Sequence, residues 1–169
     1  QGIVQKLMKY ARKTAEESPL KDTDLREVVK STVALLKFQF QQENITIETE
    51  LVDTPPVKGI SGELEQVFTN LLVNAKDAIL AAKRTGKIVV GIQEAGEAVE
   101  LRVTDNGIGI SKENLKKIFD PFFTTKDVGG GTGLGLSVSF GILKRHGASI
   151  TAQSEPGKGS VFVIRFPRS

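Results

Sequence analysis

Two carboxamides and a carboxylate at helical spacing, together with two glycine-rich stretches, are the residues of this 169-residue chain whose types and order could do chemistry. Asn70 and Asn74 stand four apart and share a helix face, with Glu63 and Asp77 along the same edge. Asparagine is a mediocre helix former, and its amide adds nothing to apolar packing. Its oxygen is a neutral, hard donor, suited to a magnesium ion already neutralised by phosphates, which needs few protein ligands. The alternative is the polar rim of an amphipathic helix. Further on, Asp105-Asn106-Gly107-Ile108-Gly109-Ile110 follows an alternating apolar run, and Gly129-Gly130-Gly131-Thr132-Gly133-Leu134-Gly135-Leu136 opens into a helical one. Glycine admits backbone geometries closed to other residues and lets a ligand approach the main chain. Amides at a helix start, with the helix dipole behind them, form an anion site that a polyphosphate would fit.

Spacing excludes two other phosphate-binding patterns. Gly86-Lys87 is followed by Ile88 and Gly157-Lys158 by Gly159, so neither completes a P-loop. Counted from Gly131 and Gly133, the third glycine of a dinucleotide fingerprint would fall on Leu136.

The carboxamides need a helix to carry them, and the pattern supplies one over 63–82. Leu64, Val67, Phe68, Leu71, Leu72, Ala75, Ala78 and Ile79 recur at intervals of three and four and fill an arc of roughly 140° on a wheel. Ser61 is the expected cap. A helix capped by Asp22 or Asp24 is predicted to run to about Glu43 on Leu25, Val28, Val29, Leu35 and Leu36, with Asn44 ending it. Strands are predicted at 45–52, 87–93, 99–105, 149–154 and 160–166, the second and third forming a hairpin. Short helical character is expected at 112–118, a loop at 120–132, and a helix at 134–146 stopped by Gly147. This order argues for an α/β (α+β) two-layer sandwich: a mixed, mostly antiparallel sheet with helices on one face. Residues 1–21 read as the end of a helical bundle plus a linker, because Ile3, Val4, Leu7, Met8 and Ala11 form a heptad-like stripe too short to bury itself. Residues 22–169 are then the functional domain.

Composition narrows the classes. Apolar content of 39% and charge of 25% are those of a soluble globular domain, and no apolar run is of membrane-spanning length. Lacking cysteine, the chain has no disulfide framework and no thiolate nucleophile, which fits a reducing, cytoplasmic setting; a longer parent could still be membrane-bound. The absence of an initiator Met or signal pattern at Gln1 suggests a piece of such a parent. The net charge of +3 is dispersed and free of interleaved aromatics, so no nucleic acid partner is expected.

Over residues 60–167 these blocks, in this order, resemble the ATP-binding catalytic domain of two-component sensor histidine kinases. The carriers are Asn70-x-x-x-Asn74-Ala75, Asp105-x-Gly107-x-Gly109, residues 119–126, Gly131-Thr132-Gly133-Leu134-Gly135-Leu136, and residues 157–162. The resemblance implies the Bergerat-type sandwich shared with gyrase, Hsp90 and MutL-type ATPases, with ATP and Mg2+ as cofactors. It implies that Asp105 accepts from the adenine amino group, with Gly107, Gly109 and Ile110 beside it, and that Asn74, helped by Asn70, holds the magnesium. Residues 122–131 would form a lid, with Phe123, Thr124, Thr125 and Lys126 near ribose or phosphate. Gly131, Thr132, Gly133, Leu134, Gly135 and Leu136 would cap the phosphate tail, and Ser160 would stand near the pocket. Asp77 replaces the lysine that many such kinases carry there. Lys76 lies about 160° round the helix from Asn74 and does not substitute, leaving Lys126 as the candidate cation.

In the hydrolytic relatives a glutamate stands four residues before the metal-binding asparagine as a general base. Asn70 occupies that place here and cannot take a proton. The chain therefore reads as one that positions a γ-phosphate for a histidine on a separate helical dimerisation domain of the same parent, with a response-regulator receiver domain downstream. The parent is expected to be a homodimer and this piece a monomer. An ATP-hydrolysing conformational domain and a non-catalytic nucleotide-binding module are the alternatives. The single histidine, His146, precedes Gly147 and reads as structural, its imidazolium suiting a helix C-terminus, so the chain should bind ATP without phosphorylating itself. Of two apolar stripes on the 134–146 helix, that of Leu136, Phe140 and Leu143 is expected to dock on the histidine-bearing domain.

Overall fold

The computed structural model describes residues 2–5, 18–124 and 135–169. In chain order the elements are β1 (Lys21–Thr23), α1 (Leu25–Gln42), β2 (Ile45–Leu51), β3 (Val57–Gly59), α2 (Ser61–Ala82), β4 (Gly86–Ala95), β5 (Ala98–Asp105), α3 (Lys112–Leu115), α4 (Gly135–Arg145), β6 (Ser149–Glu155) and β7 (Gly159–Pro167). The main sheet has five strands in the order β2-β4-β5-β7-β6. Only β2–β4 is parallel; the other pairs are antiparallel. A parallel pair needs a long crossover, and α2 supplies it by returning the chain over one face of the sheet.

Alternation fixes which face is covered. Along β5, Val99, Leu101, Val103 and Asp105 are buried while Arg102 between them is exposed. On β7 the inward set is Ser160, Phe162, Ile164 and Phe166. These meet Leu64, Val67, Phe68, Leu71, Leu72, Ala75 and Ile79 of α2, the stripe that the sequence predicts. Burying each of the larger side chains stabilises the fold by about 1.5–3 kcal/mol. The two-layer mixed sandwich is thus the observed architecture, and the 88–105 hairpin pairs as expected.

One helix cap and one core position are corrected, and one strand pairing is added. Ser61 is not a cap: the N-cap of α2 is Ile60, which makes no side-chain cap bond, and its backbone N–H goes to His146 Nε2 at 3.1 Å. A tertiary partner has replaced the local one. Leu35 is 79% exposed, and the core positions of α1 fall instead on Thr32, Val33 and Phe40. Segments 21–23 and 57–59, where no strand is predicted, pair as a two-stranded antiparallel ribbon. Asp24, not Asp22, caps α1 by accepting from Arg26 N at 2.9 Å, while Asp22 pairs with Lys58 at 2.7 Å. Asn44 ends α1 at φ +58 and Gly147 ends α4 at φ +68, each in the left-handed region.

Candidate functional site

Asp105 ends β5, Ser160 opposite it begins β7, and the loop from Asn106 to Ile110 leads away beneath the C-terminal half of α2. Gly107 sits so close to α2 that a Cβ there would stand 2.6 Å from the Ala78 Cβ, and the next amide, Ile108 N–H, donates to Ala78 O at 3.0 Å. Gly109 has φ +74, and a Cβ would strike the Glu155 carbonyl. Both glycines are therefore demanded by packing of the chain on itself. The consequence is positional: Ala78 lies one helical turn past Asn74, so the amide edge of α2 and the carboxylate of Asp105 come to one side of the molecule.

The Asp105 side chain is buried, with only 6% of the residue exposed, and among the described residues no cation pairs with it. Its Oδ1 accepts from Gly107 N–H at 2.8 Å. Burial pushes its carboxyl above the usual range, against the pull of backbone hydrogen bonds from Gly107 and Ser160. A desolvated carboxylate held by neutral donors alone is incomplete, and a ligand N–H would complete it. Behind it, Ser154 Oγ accepts from Ile110 N–H at 2.7 Å, donates to Gly159 O at 2.8 Å and lies 2.7 Å from Ser160 Oγ. That one hydroxyl ties the loop, β6 and the start of β7 together. Nothing in the motif order singles it out; its place opposite Ser160 comes from the pairing of β6 with β7.

The two asparagines differ. Asn74 is half-buried, and no side-chain hydrogen bond to it is found among the described residues. Asn70 Nδ2 donates to Gly135 O at 3.2 Å and to Ser139 Oγ at 3.1 Å, while Ser139 Oγ donates to Gly135 O at 2.8 Å. Since Gly135 O can only accept, this network assigns the nitrogen of Asn70 to α4 and leaves its oxygen free of that contact. Ser139, wholly buried, was not foreseen as part of the site; its signal is a hydroxyl one turn after Gly135.

Asp77 lies on the same helix and is half-buried. Lys76 is turned to the far side, 3.4 Å from Glu43 and over the ring of Phe40. Ile110, Phe123 and Leu136 pack partly buried against the core, Phe123 and Thr124 closing the described part of the loop before α4 and Gly135 opening that helix. Thr125, Lys126, Gly131, Thr132, Gly133 and Leu134 lie outside the described residues, as do Leu7, Met8 and Ala11. On α4 the two-stripe expectation resolves differently: Ile142 and Leu143 are both buried, and Phe140 is 40% exposed with its ring 5.5 Å from that of Phe119. Glu63 pairs with Arg145 at the far end of α2. Among the described residues no acidic or histidine cluster could hold a metal, and no helix is long and apolar enough to cross a membrane.

Comparison with known proteins gives one consistent answer. Residues 59–169 match the model of the histidine kinase-, DNA gyrase B- and HSP90-like ATPase family. The chain belongs to that family. Among its relatives, the two-component sensor PprA of Pseudomonas aeruginosa is 41% identical over 98% of this chain and 18% of its own length. The sensor histidine kinase ZraS of Escherichia coli is 35% identical over 98% of this chain and 34% of its own. The chain thus spans 18% and 34% of these curated relatives' own lengths. The catalytic domain of histidine kinase ThkA superposes with a TM-score of 0.76 at 30% identity, covering 88% of this chain and 95% of that one. As a member of an ATPase family the chain is a nucleotide-binding domain, and its α/β sandwich is that of histidine kinase catalytic domains.

Proposed function

We propose that this domain binds Mg-ATP and presents the γ-phosphate to a histidine on a separate helical domain of the same parent, as the catalytic domain of a sensor histidine kinase. The observation that carries this reading is the buried Asp105 carboxylate, paired with no cation among the described residues and on the same side of the molecule as the amide edge of α2. Adenine carries an amino group where guanine carries a carbonyl, so a carboxylate acceptor favours adenine; a charge-assisted bond of about 1.5–3 kcal/mol corresponds to roughly 10- to 150-fold selection.

The donor set fits magnesium: among the described residues Asn74 makes no competing side-chain bond, and the Asn70 oxygen takes no part in the contact with Gly135 and Ser139. Bound there, the ion would neutralise the phosphates. Asn74 would orient the phosphate tail, and Asn70 would hold α4 against α2. Asp105 and Ser160 would hold the base. Phosphoryl transfer asks mainly for such placement and charge neutralisation. With an amide at position 70, no carboxylate stands there to activate water.

The partner reading draws on the relatives. ThkA has been solved in complex with the response regulator TrrA, and that structure aligns over 99% of this chain and 46% of its own at 26% identity. The exposed edges of Phe140 and Phe122, on either side of the segment before α4, offer an apolar surface to the histidine-bearing domain.

The test mixes this chain with labelled ATP, magnesium and the histidine-bearing domain of its parent. Label on that histidine is expected. Phosphate release without label would replace the kinase reading by a hydrolytic one, and binding alone would leave a nucleotide-sensing module.

A further inference from the structure

The helix α4 is fastened to α2 at both ends, and only the first fastening uses a residue with an expected ligand role. At its start Asn70 holds Gly135 and Ser139. Just past its end stands His146, whose side chain is fully enclosed. Its Nε2 accepts the N–H of Ile60, the N-cap of α2, at 3.1 Å. That leaves the proton on Nδ1, which donates to Ile142 O at 2.8 Å. The ring is therefore neutral, correcting the imidazolium expected from its place at a helix C-terminus. Around it, Glu63 Oε2 of α2 lies 3.7 Å from Nε2 and is also paired with Arg145, and a Cβ on Gly59 would stand 3.2 Å from the ring's Cδ2.

Imidazole suits this position because it carries a donor and an acceptor on opposite edges of one rigid ring. One edge satisfies its own helix end; the other replaces the missing side-chain cap of α2. The lever is long. The 11 residues of α4 span about 16 Å at about 1.5 Å per residue, so a pivot of about 5° at the His146 end moves the Gly135 end by roughly 1.4 Å. A misplacement of about 1 Å can cost on the order of 100-fold in a reaction that depends on alignment.

We propose that His146 is a positioning residue for nucleotide binding: a neutral clasp that fixes the C-terminal end of α4 on the cap of α2 and so sets where the start of α4 meets the phosphates. The proposal rests on the nucleotide-binding reading above and assigns its phosphate alignment to a residue far from the ligand. His146→Gln keeps an acceptor near the Nε2 position for Ile60 N–H; His146→Asn keeps only the donor to Ile142 O; His146→Ala keeps neither.

The experiment titrates wild type and the three variants with Mg-ATP and, separately, with adenosine, and records the imidazole nitrogen shifts of the wild type. The expected result is a neutral ring protonated at Nδ1. ATP binding should be about 3- to 10-fold weaker in the Asn and Ala variants and within about 2-fold of wild type in the Gln variant, the range one neutral hydrogen bond supports. Adenosine binding should be unchanged across the series, since Asp105 and Ser160 lie on other elements. If ATP and adenosine weaken together, if Gln fares no better than Asn, or if the ring is an imidazolium, the clasp is refuted; the Gln-to-Asn comparison stands even if the Ala variant does not fold. A wild-type chain that binds neither ligand would instead fail at the nucleotide-binding reading itself.

Discussion

At the scale of single residues the account turns on Asp105. Its carboxyl is pushed up by burial, with backbone hydrogen bonds from Gly107 and Ser160 opposing. Two opposite pH dependences follow. For the nucleotide-free fold, the folded state holds this proton more tightly than the unfolded chain. Between the ordinary carboxylate value and the raised one, stability therefore falls as pH rises. For adenine binding the ionised form is the better acceptor, so affinity falls as pH drops through the raised value, at a higher pH than an ordinary aspartate would show. The lowered carboxyls of Asp22 and Asp24 add an opposite slope to both chains. The wild-type stability minus that of Asp105→Asn should therefore fall as pH rises through this window while wild-type ATP affinity rises, as melting curves and ATP titrations on the same acid series measure. The sequence showed Asp105, Asn70 and Asn74 because their types are unusual where they stand. It did not show Ser139, Ser154 or the neutral state of His146, because those roles come from contacts across long sequence separations.

At the scale of elements, α2 and α4 are joined by polar bonds as well as by packing. Asn70→Asp turns the two-proton donor that faces Gly135 O and Ser139 Oγ into an acceptor, setting oxygen against oxygen. Asn74→Asp changes a side chain with no hydrogen bond to lose among the described residues. The nucleotide-free Asn70→Asp chain should thus be less stable by about 1–3 kcal/mol, and Asn74→Asp nearly unchanged; urea unfolding measures both. Equal losses would remove the fastening role of Asn70. Helices and strands with strong periodicity were readable because one face of each is buried, as in Leu64 to Ile79 or Val99 to Val103. The β1–β3 ribbon was not, since three residues carry too little pattern and its pairing joins segments far apart in the chain. Ser61 misled for a related reason: local capping chemistry lost to His146, 86 residues from Ile60.

At the scale of the molecule, the sheet order explains why such distant motifs act together. The parallel β2–β4 pair forces α2 across the sheet, the antiparallel β5–β7 pair sets Asp105 beside Ser160, and Gly107 lets the loop touch Ala78. Motif order revealed this convergence only through the family resemblance, because spacing along the chain does not say which strand pairs with which. The central claim is that the Asp105 carboxylate selects an adenine nucleotide. It is tested most directly by calorimetric titration of wild type and Asp105→Asn with Mg-ATP and Mg-GTP. Wild type is predicted to prefer ATP by at least about 10-fold, and the variant to lose most of that preference through weaker ATP binding. Equal affinity of wild type for the two nucleotides, or full ATP affinity in the variant, would contradict it.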